Sequence, residues 1–438
     1  PVAGKILESL VLNRINKYIE SKKLLPIYQT GFRRGKATTI NLKRLYNAVY
    51  AMSARGRTKR MTAAIMFDAK KAFDCVWHEG LIVKMMKDGF PIQIIQFINN
   101  WLTGRSVVVK VNETYSRKVE IRAGVPQGSV LSPAIWNYYI GDCPTTTSAF
   151  ADLAFYADDL VIWVNHSDKQ KTIDILQEEV YKITKWAHSK RLTFELKKTK
   201  AILFHPDKKI RTEWGKQELN LNEGTISPLP YHEHAKLLGV TFSANCTFQQ
   251  HFGEAMKKAN ARVSSLYRFT GKIPPETLHR VYKVAVEPIV LYGSEVLYEN
   301  YTIMEQKKLL SLNWNAIKIA YNLPRHTPAW KCHEIAGTNI LERWEKRHDN
   351  FVRSNAYDTS IRHTETHTTS EGRKIPVRPT FISKNAPHTT WQAKAKLYNH
   401  LPFGFFSDFN NTRPDQRWNG EREEELDGHV GPPIPILY

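Results

Sequence analysis

Phe155-Tyr156-Ala157-Asp158-Asp159-Leu160-Val161-Ile162 sets two adjacent carboxylates inside a run that is otherwise aromatic, aliphatic and β-branched. An ionised acid withdrawn from water costs several kcal/mol unless it is paired or holds a metal. Aspartate also favours solvated turns, so a surface β-turn is the plain alternative. The apolar flanks on both sides argue instead for strand–turn–strand over Phe150 to Val164, with the two acids at the tip facing something cationic.

A second run, Thr62-Ala63-Ala64-Ile65-Met66-Phe67, reads as a buried strand that ends on Asp68. Three carboxylates converging from adjacent strands make an oxygen-only donor set, which suits Mg²⁺ better than softer metals. Two such ions, about 3.5–4 Å apart, stabilise the attacking and leaving oxygens of phosphoryl transfer. Asp68, Asp158 and Asp159 are therefore the candidate metal ligands.

Outward from these strands, helix and strand patterns alternate. Ile6, Leu7, Leu10, Val11, Ile15 and Ile19 recur at helical spacing, and Ile40, Leu42, Leu45 and Val49 begin a second helix. Between them Gln29-Thr30-Gly31-Phe32-Arg33-Arg34-Gly35-Lys36 is a glycine-punctuated basic turn. It predicts a phosphate-facing loop in which Arg33 and Arg34 bind substrate; a solvated helix–helix connection is the alternative. Val107 to Val111 and Lys118 to Ile121 predict a strand pair around Asn112-Glu113. An amphipathic helix is expected over 171–189, and strands over 200–204 and 236–242 with a polar hairpin-like insert between them. From Phe248 to about Lys346 the pattern is helical, and the chain ends in a polar, acidic, proline-bearing tail that predicts partial disorder. The class is α+β followed by all-α.

Composition points to a partner. Lysine and arginine number 63 against 42 acids, a formal charge of +21 that attracts polyanions. Nucleic acid is the natural partner; a basic surface kept for solubility is the alternative. At about 150 residues per domain, two or three packed units are expected. Cys75, Cys143, Cys246 and Cys332 stand far apart with no Cys-x-x-Cys pair, which argues against a disulfide framework or zinc ribbon and fits a reduced intracellular compartment. The Cys332-His333 pair reads as buried or solvated rather than metal-bound. No apolar run approaches about 18 residues, so no membrane span is expected. No signal peptide is visible, and a start at Pro1 reads as an excerpt from a longer product.

Five motifs follow one another in a telling order. They are Phe67-Asp68-Ala-Lys-Lys-Ala72-Phe73-Asp74, Gly124-Val-Pro126-Gln127-Gly128-Ser129-Val-Leu131-Ser132-Pro133, Tyr156-Ala157-Asp158-Asp159, Leu196-Lys-Lys198-Thr199 and Lys236-Leu-Leu238-Gly239-Val240. The series resembles motifs A through E of non-LTR (LINE-type) retrotransposon reverse transcriptases, nearest the Jockey-like group. Gly4-Lys5-Ile6-Leu7-Glu8 and Gly31-Phe32-Arg33 resemble the finger motifs that precede motif A. The resemblance covers residues 1–345 and implies a right-hand polymerase. Partial fingers fall at 1–60, and a palm of antiparallel sheet plus helices at 61–245, with a finger insertion near 76–118. A helical thumb follows at 246–345, then a partly disordered C-terminal extension at 346–438. An Arg-Pro-Ile-Ser-like segment that precedes these motifs in relatives does not occur in this sequence, so the fingers are expected to be incomplete.

The same resemblance implies roles. Asp68, Asp158 and Asp159 would hold two Mg²⁺ ions, with Mn²⁺ as a substitute and Asp159 the most peripheral ligand. Lys198 would donate a proton to pyrophosphate, although Lys197 and Lys200 crowd it and Glu195-Leu196 stands where the family carries Asn-Pro. Phe73 would lie beneath the incoming sugar and clash with a ribose 2′-hydroxyl; its alternative is a core aromatic. Gln127 would touch the nucleotide in a turn shaped by Pro126 and Gly128, and residues 236–242 would grip the primer. Asp74 is expected to be a structural hydrogen-bond acceptor, and Ser132-Pro133 a helix start. Lys257, Lys258, Arg262, Arg268, Lys272, Arg280 and Lys283 would follow template–primer phosphates along the thumb.

The function so implied is RNA-directed DNA polymerase acting in retrotransposition. Its partners would be an RNA template, a DNA primer or nicked target DNA, and dNTPs, with no membrane. An endonuclease domain would lie elsewhere in the parent polyprotein, and the site of action would be nucleus and cytoplasm. A catalytically inactive relic that only binds nucleic acid is the alternative. An RNA-templated RNA polymerase is a third reading, disfavoured by the aromatic at position 73.

Overall fold

The computed structural model describes residues 2–50, 61–297, 301–337 and 339–354, together with the strand residues 366–368 and 374–376. Strand β1 (Met61–Phe67) lies inside a four-stranded antiparallel sheet and is buried along its whole length. A strand covered on both faces has no solvent side, which is why its sequence shows no polar alternation. Strands β2 (Ser106–Val107), β3 (Lys110–Val111), β4 (Thr114–Tyr115) and β5 (Val119–Glu120) form two exposed pairs, β2 with β5 and β3 with β4. The predicted ladder around Asn112-Glu113 is thus present but interrupted, with Asn112 at φ 53 in the turn.

The sheet is completed by β6 (Ala151–Tyr156), β7 (Asp159–His166) and β8 (Lys200–Phe204), in the order β6–β7–β1–β8. In β1, Ala63, Ile65 and Phe67 join one hydrophobic core while Ala64 and Met66 join the other. The first core is closed by α1 (Val2–Ser21), α3 (His78–Lys87), α4 (Ile92–Leu102), α5 (Ser132–Tyr139) and α6 (Lys169–Ser189), through residues such as Ile15, Leu81, Ile98, Trp136 and Leu176. Asp168 caps α6, accepting from the Lys171 amide at 2.8 Å.

The opposite face packs on α2 (Thr38–Tyr50) and on the thumb. Helix α2 closes the stretch expected as partial fingers and packs directly on this face of the sheet. Leu42, Leu45 and Val49 enter the palm–thumb core, Tyr46 and Tyr50 stack on Phe248, and Thr62 donates to the Ala48 carbonyl at 3.0 Å. In α1 only Ile15 and Ile19 are buried; Ile6, Leu7 and Leu10 are exposed, although their spacing suggested one continuous inner face.

The insert after β8 holds helix α7 (Lys208–Trp214) and a hairpin of β9 (Leu219–Leu221) and β10 (Gly224–Ile226). Residues 236–242 are not one strand as predicted. They form a hairpin of β11 (His234–Leu237) and β12 (Val240–Ser243), turning through Leu238 and Gly239 at φ 46 and 82. A single glycine in a short apolar run does not distinguish a straight strand from a reversal.

Helices α8 (Gln249–Leu266), α9 (Pro275–Ala285), α10 (Glu287–Leu291), α11 (Ser294–Leu297), α12 (Ile303–Ala320), α13 (Ala329–Ala336) and α14 (Ile340–Ser354) build the helical thumb. A capping box starts α12, with Thr302 and Glu305 bonding reciprocally. The predicted thumb boundary at 345 falls inside α14, which the buried Glu287 ties down through an ion pair with Arg343. Cys332 and His333 are both buried in α13, and the four cysteines are free. Beyond α14, β13 (Thr366–Thr368) pairs with β14 (Lys374–Pro376); the predicted disorder of the tail falls otherwise outside the described residues. Among the described residues no helix is long and apolar enough to cross a membrane.

Candidate active site

The β6–β7 hairpin pairs Tyr156 with Asp159, leaving Ala157 and Asp158 as a two-residue turn at its tip. Ala157 adopts φ 58, a left-handed conformation that a Cβ disfavours. On the neighbouring strand Phe67 pairs with Leu160, so the next residue, Asp68, emerges at the Asp159 end of the hairpin. Desolvation first, then the charges of Asp158 and Asp68, push the Asp159 carboxyl up to about 6 from its ordinary 3.8. Solvent still reaches the Asp158 and Asp159 side chains.

These acids do not form the tight trio that the sequence suggested. Among the described residues no group of three His, Cys, Asp or Glu side chains is gathered closely enough to hold a metal ion. Asp68 is drawn instead toward Lys198, whose ammonium lies 3.4 Å from its carboxylate. The chain around Lys198 runs back along motif A: Ala69 bridges Phe194, and the Glu195 amide donates to the Asp68 carbonyl at 2.9 Å. Of the three lysines crowding this segment, Lys198 is therefore the one brought to the acids.

Phe73 follows on a 3₁₀ turn (Ala72–Cys75), half-buried, with its ring stacked on Trp136 at 5.4 Å and edge-on to Phe32 at 6.3 Å. The Phe73 carbonyl accepts from the Val125 amide at 2.9 Å, and the Gly124 amide donates to Val76 at 2.8 Å. Motifs A and B are thereby zipped together. Gly124 is required at this seam: its φ is 82, and a Cβ would stand 2.7 Å from the backbone of Asp74. Gln127 is exposed and donates to the Asp74 carboxylate at 3.2 Å, which bears out Asp74 as an acceptor. Gly128, at φ 83 with open space around it, lets the turn bend outward. Helix α5 starts at Ser132-Pro133, as expected.

The basic turn behaves differently from its prediction. The Arg33 guanidinium donates to the Pro26 carbonyl at 2.8 Å and to Gln29 at 3.3 Å, and reaches Glu20 at 3.4 Å. It therefore braces carbonyls of its own loop, of which Pro26 also accepts from the Gln29 amide at 3.3 Å, while Arg34 beside it is exposed. The same segment docks on the β6–β7 hairpin. Thr30 donates to the Phe155 carbonyl at 3.0 Å, Phe155 donates to Tyr28 at 2.9 Å, and Gly31 touches Ala157 so closely that a Cβ would lie 2.2 Å from its amide nitrogen.

Residues 1–242 match the family described as Reverse transcriptase (RNA-dependent DNA polymerase). The chain belongs to this family. A probable RNA-directed DNA polymerase from transposon BS of Drosophila melanogaster is 29% identical over 86% of this chain and 40% of its own length. The RNA-directed DNA polymerase from mobile element jockey of the same species is 30% identical over 68% of this chain and 32% of its own length. The chain thus spans less than half the length of these curated relatives, and their mobile-element origin agrees with the LINE-type resemblance read from the motifs. Among solved structures, apo telomerase from Candida tropicalis is similar at 12% identity and a TM-score of 0.39, over 80% of this chain and 59% of that one. So loose a likeness carries no functional argument.

Several supports of this candidate site were not singled out from sequence. Glu8 on α1 accepts from the Ser129 hydroxyl at 2.7 Å and the Val130 amide at 2.8 Å, bracing the motif B turn; its place within Gly4–Glu8 was the available signal. Tyr292 donates to the Leu238 carbonyl at 2.6 Å, and its ring lies against Gly239, where a Cβ would meet it at 2.9 Å. The predicted primer grip is thus pinned by a thumb residue that no spacing links to it. Of the predicted phosphate-tracking cations, Lys257, Lys258, Arg262, Arg268, Lys272 and Arg280 are exposed, while Lys283 is half-buried.

Proposed function

We propose that this chain is the polymerase portion of a LINE-type element, extending a DNA 3′-hydroxyl on an RNA template during retrotransposition. The observation that carries the reading is the joining of three motifs at one hairpin. Asp68 comes beside the Asp158-Asp159 tip, Lys198 reaches Asp68, and Phe73 connects to the tip through Trp136, whose indole donates to the Ala157 carbonyl at 3.1 Å.

Reverse transcriptases generally use divalent metal ions, and the donor chemistry of this site fits them. All three candidate ligands are carboxylates; burial first, then the neighbouring charges of Asp158 and Asp68, disfavour the ionised form of Asp159, a cost that a bound cation would offset. Asp68, Asp158 and Asp159 would hold Mg²⁺, with Mn²⁺ as a substitute; the ions would lower the pKa of the primer hydroxyl and neutralise the triphosphate. Lys198 would supply a proton to pyrophosphate, Phe73 would exclude ribonucleotides, and Gln127 would contact the dNTP. Arg34, exposed on the turn, remains a candidate for substrate phosphate.

RNA template, DNA primer or nicked target DNA, and dNTPs are the proposed partners, with an endonuclease domain elsewhere in the parent protein. Action in nucleus and cytoplasm is proposed, and four free cysteines suit such reduced compartments. The test is extension of oligo(dT) on poly(rA) with dTTP and Mg²⁺. Template-dependent extension supports the reading; tight template–primer binding without any extension would leave the nucleic-acid-binding relic in its place.

A further inference from the structure

We propose that Gln29 is a positioning residue for the candidate metal site, holding the Ala157-Asp158 turn through both polar atoms of its carboxamide. This rests on the polymerase reading above and adds to it a residue outside the five motifs.

The turn poses a specific problem. Ala157 is 7% exposed, and the ladder ends at the Tyr156–Asp159 pair, so its N–H and C=O lie outside the sheet's own hydrogen bonding. Buried backbone groups must find partners, and a left-handed residue with a Cβ persists only where its surroundings impose it. Gln29, 1% exposed, meets both needs. Its Oε1 accepts from the Ala157 amide at 3.3 Å and from the Gly31 amide at 2.8 Å, while its Nε2 donates to the Ala157 carbonyl at 3.3 Å.

A carboxamide carries the same donor and acceptor as a peptide group, so Gln29 takes the place of a missing strand partner. The rest of the cradle holds Gln29 in position. Its backbone forms a parallel bridge with Phe155, and Asn137 donates to the Gly31 carbonyl at 2.6 Å. Neither close relative of glutamine can substitute. Glutamate cannot donate and would add a charge beside three acids, and methionine matches the volume but offers neither bond. Because Asp158 is the second residue of the turn, the angle at Ala157 sets where its carboxylate points.

The experiment is calorimetric titration of Mg²⁺ into the chain bound to template–primer, without dNTP, alongside primer extension. Gln29→Met should weaken Mg²⁺ binding about tenfold, the scale of one buried group left unpaired, and lower kcat in parallel. Asn41→Ala is the structural control. Asn41 is equally buried and donates to the Phe155 carbonyl at 2.6 Å, on the strand but off the turn. It should lower Tm and leave Mg²⁺ affinity unchanged. A folded Gln29→Met chain with wild-type Mg²⁺ affinity, or an equal loss in Asn41→Ala, would overturn the proposal. If Gln29→Met does not fold, Gln29→Asn decides: its carboxamide is one methylene shorter, cannot reach both Ala157 groups and should weaken Mg²⁺ binding about threefold, and unchanged binding would again overturn the role. A wild-type chain that binds template–primer yet no Mg²⁺ would instead sink the polymerase site itself.

Discussion

At the scale of single residues, three side chains carry separable predictions. Asp158→Asn should abolish dNTP incorporation while template–primer affinity stays nearly constant, because the change would remove a proposed metal ligand and not a phosphate-binding group. Primer extension beside filter binding measures this, and residual extension above a few per cent would count against a two-metal site. Phe73 rests one face on Trp136 and is only half-buried, as a gate that must also meet a sugar requires. Phe73→Val should raise rNTP relative to dNTP incorporation, read as a ratio of kcat/KM. A purely structural ring would instead leave a cavity costing about 3 kcal/mol or more, with that ratio unchanged. Asp159 gives a pH prediction for the metal-free chain. Its folded pKa of about 6 exceeds the ordinary value of 3.8, so the folded state holds the proton more tightly. The stability this confers is full below about pH 4 and is lost as pH rises through about 6. Asp159→Asn should flatten the fall in Tm across that window, and an unchanged slope would refute the shift.

Among the elements, the joints between motifs matter more than the motifs alone. The β6–β7 hairpin, the 28–31 segment and α5 meet where Gly31 lies against Ala157 with no room for a side chain. Gly31→Ala should destabilise the chain by about 1–3 kcal/mol in urea denaturation, since the new methyl would meet backbone, which cannot swing away. A variant as stable as wild type would mean that this joint yields more easily than its geometry implies. Tyr292 makes the comparable joint between the thumb and the β11–β12 hairpin, and Glu8 the one between α1 and motif B. Each joint brings together residues far apart in the chain, which is why helical or strand periodicity says nothing about them.

Over the whole molecule, two cores share one sheet, and the thumb is continuous with the palm through α2 and β12. The excess of cations, +21 over the sequence, gains direction only in the fold, where α8 exposes Lys257, Lys258 and Arg262. Replacing these three by glutamine should weaken template–primer binding about equally across sequences. The slope of log affinity against log salt should become shallower, by about 0.9 for each duplex phosphate that is no longer neutralised. An unchanged slope would place the nucleic acid on another face.

What the sequence determined by itself was the chemistry and the local elements around it. The acids of the hairpin tip, the strand ending on Asp68, the helices of the thumb and the order of five motifs are all carried by near neighbours, which periodicity and residue type can report. Only the tertiary structure decided what those elements lean on. It turned Arg33 inward to its own loop, packed α2 against the sheet and Phe248, folded 236–242 back on itself and set Lys198 against Asp68. It also made Gln29, which reads as one polar residue in a basic turn, the partner of a buried peptide more than a hundred positions away. The reason is physical: a buried donor or acceptor takes whichever partner the fold brings within about 3 Å, and proximity of that kind is not encoded at any fixed spacing along the chain.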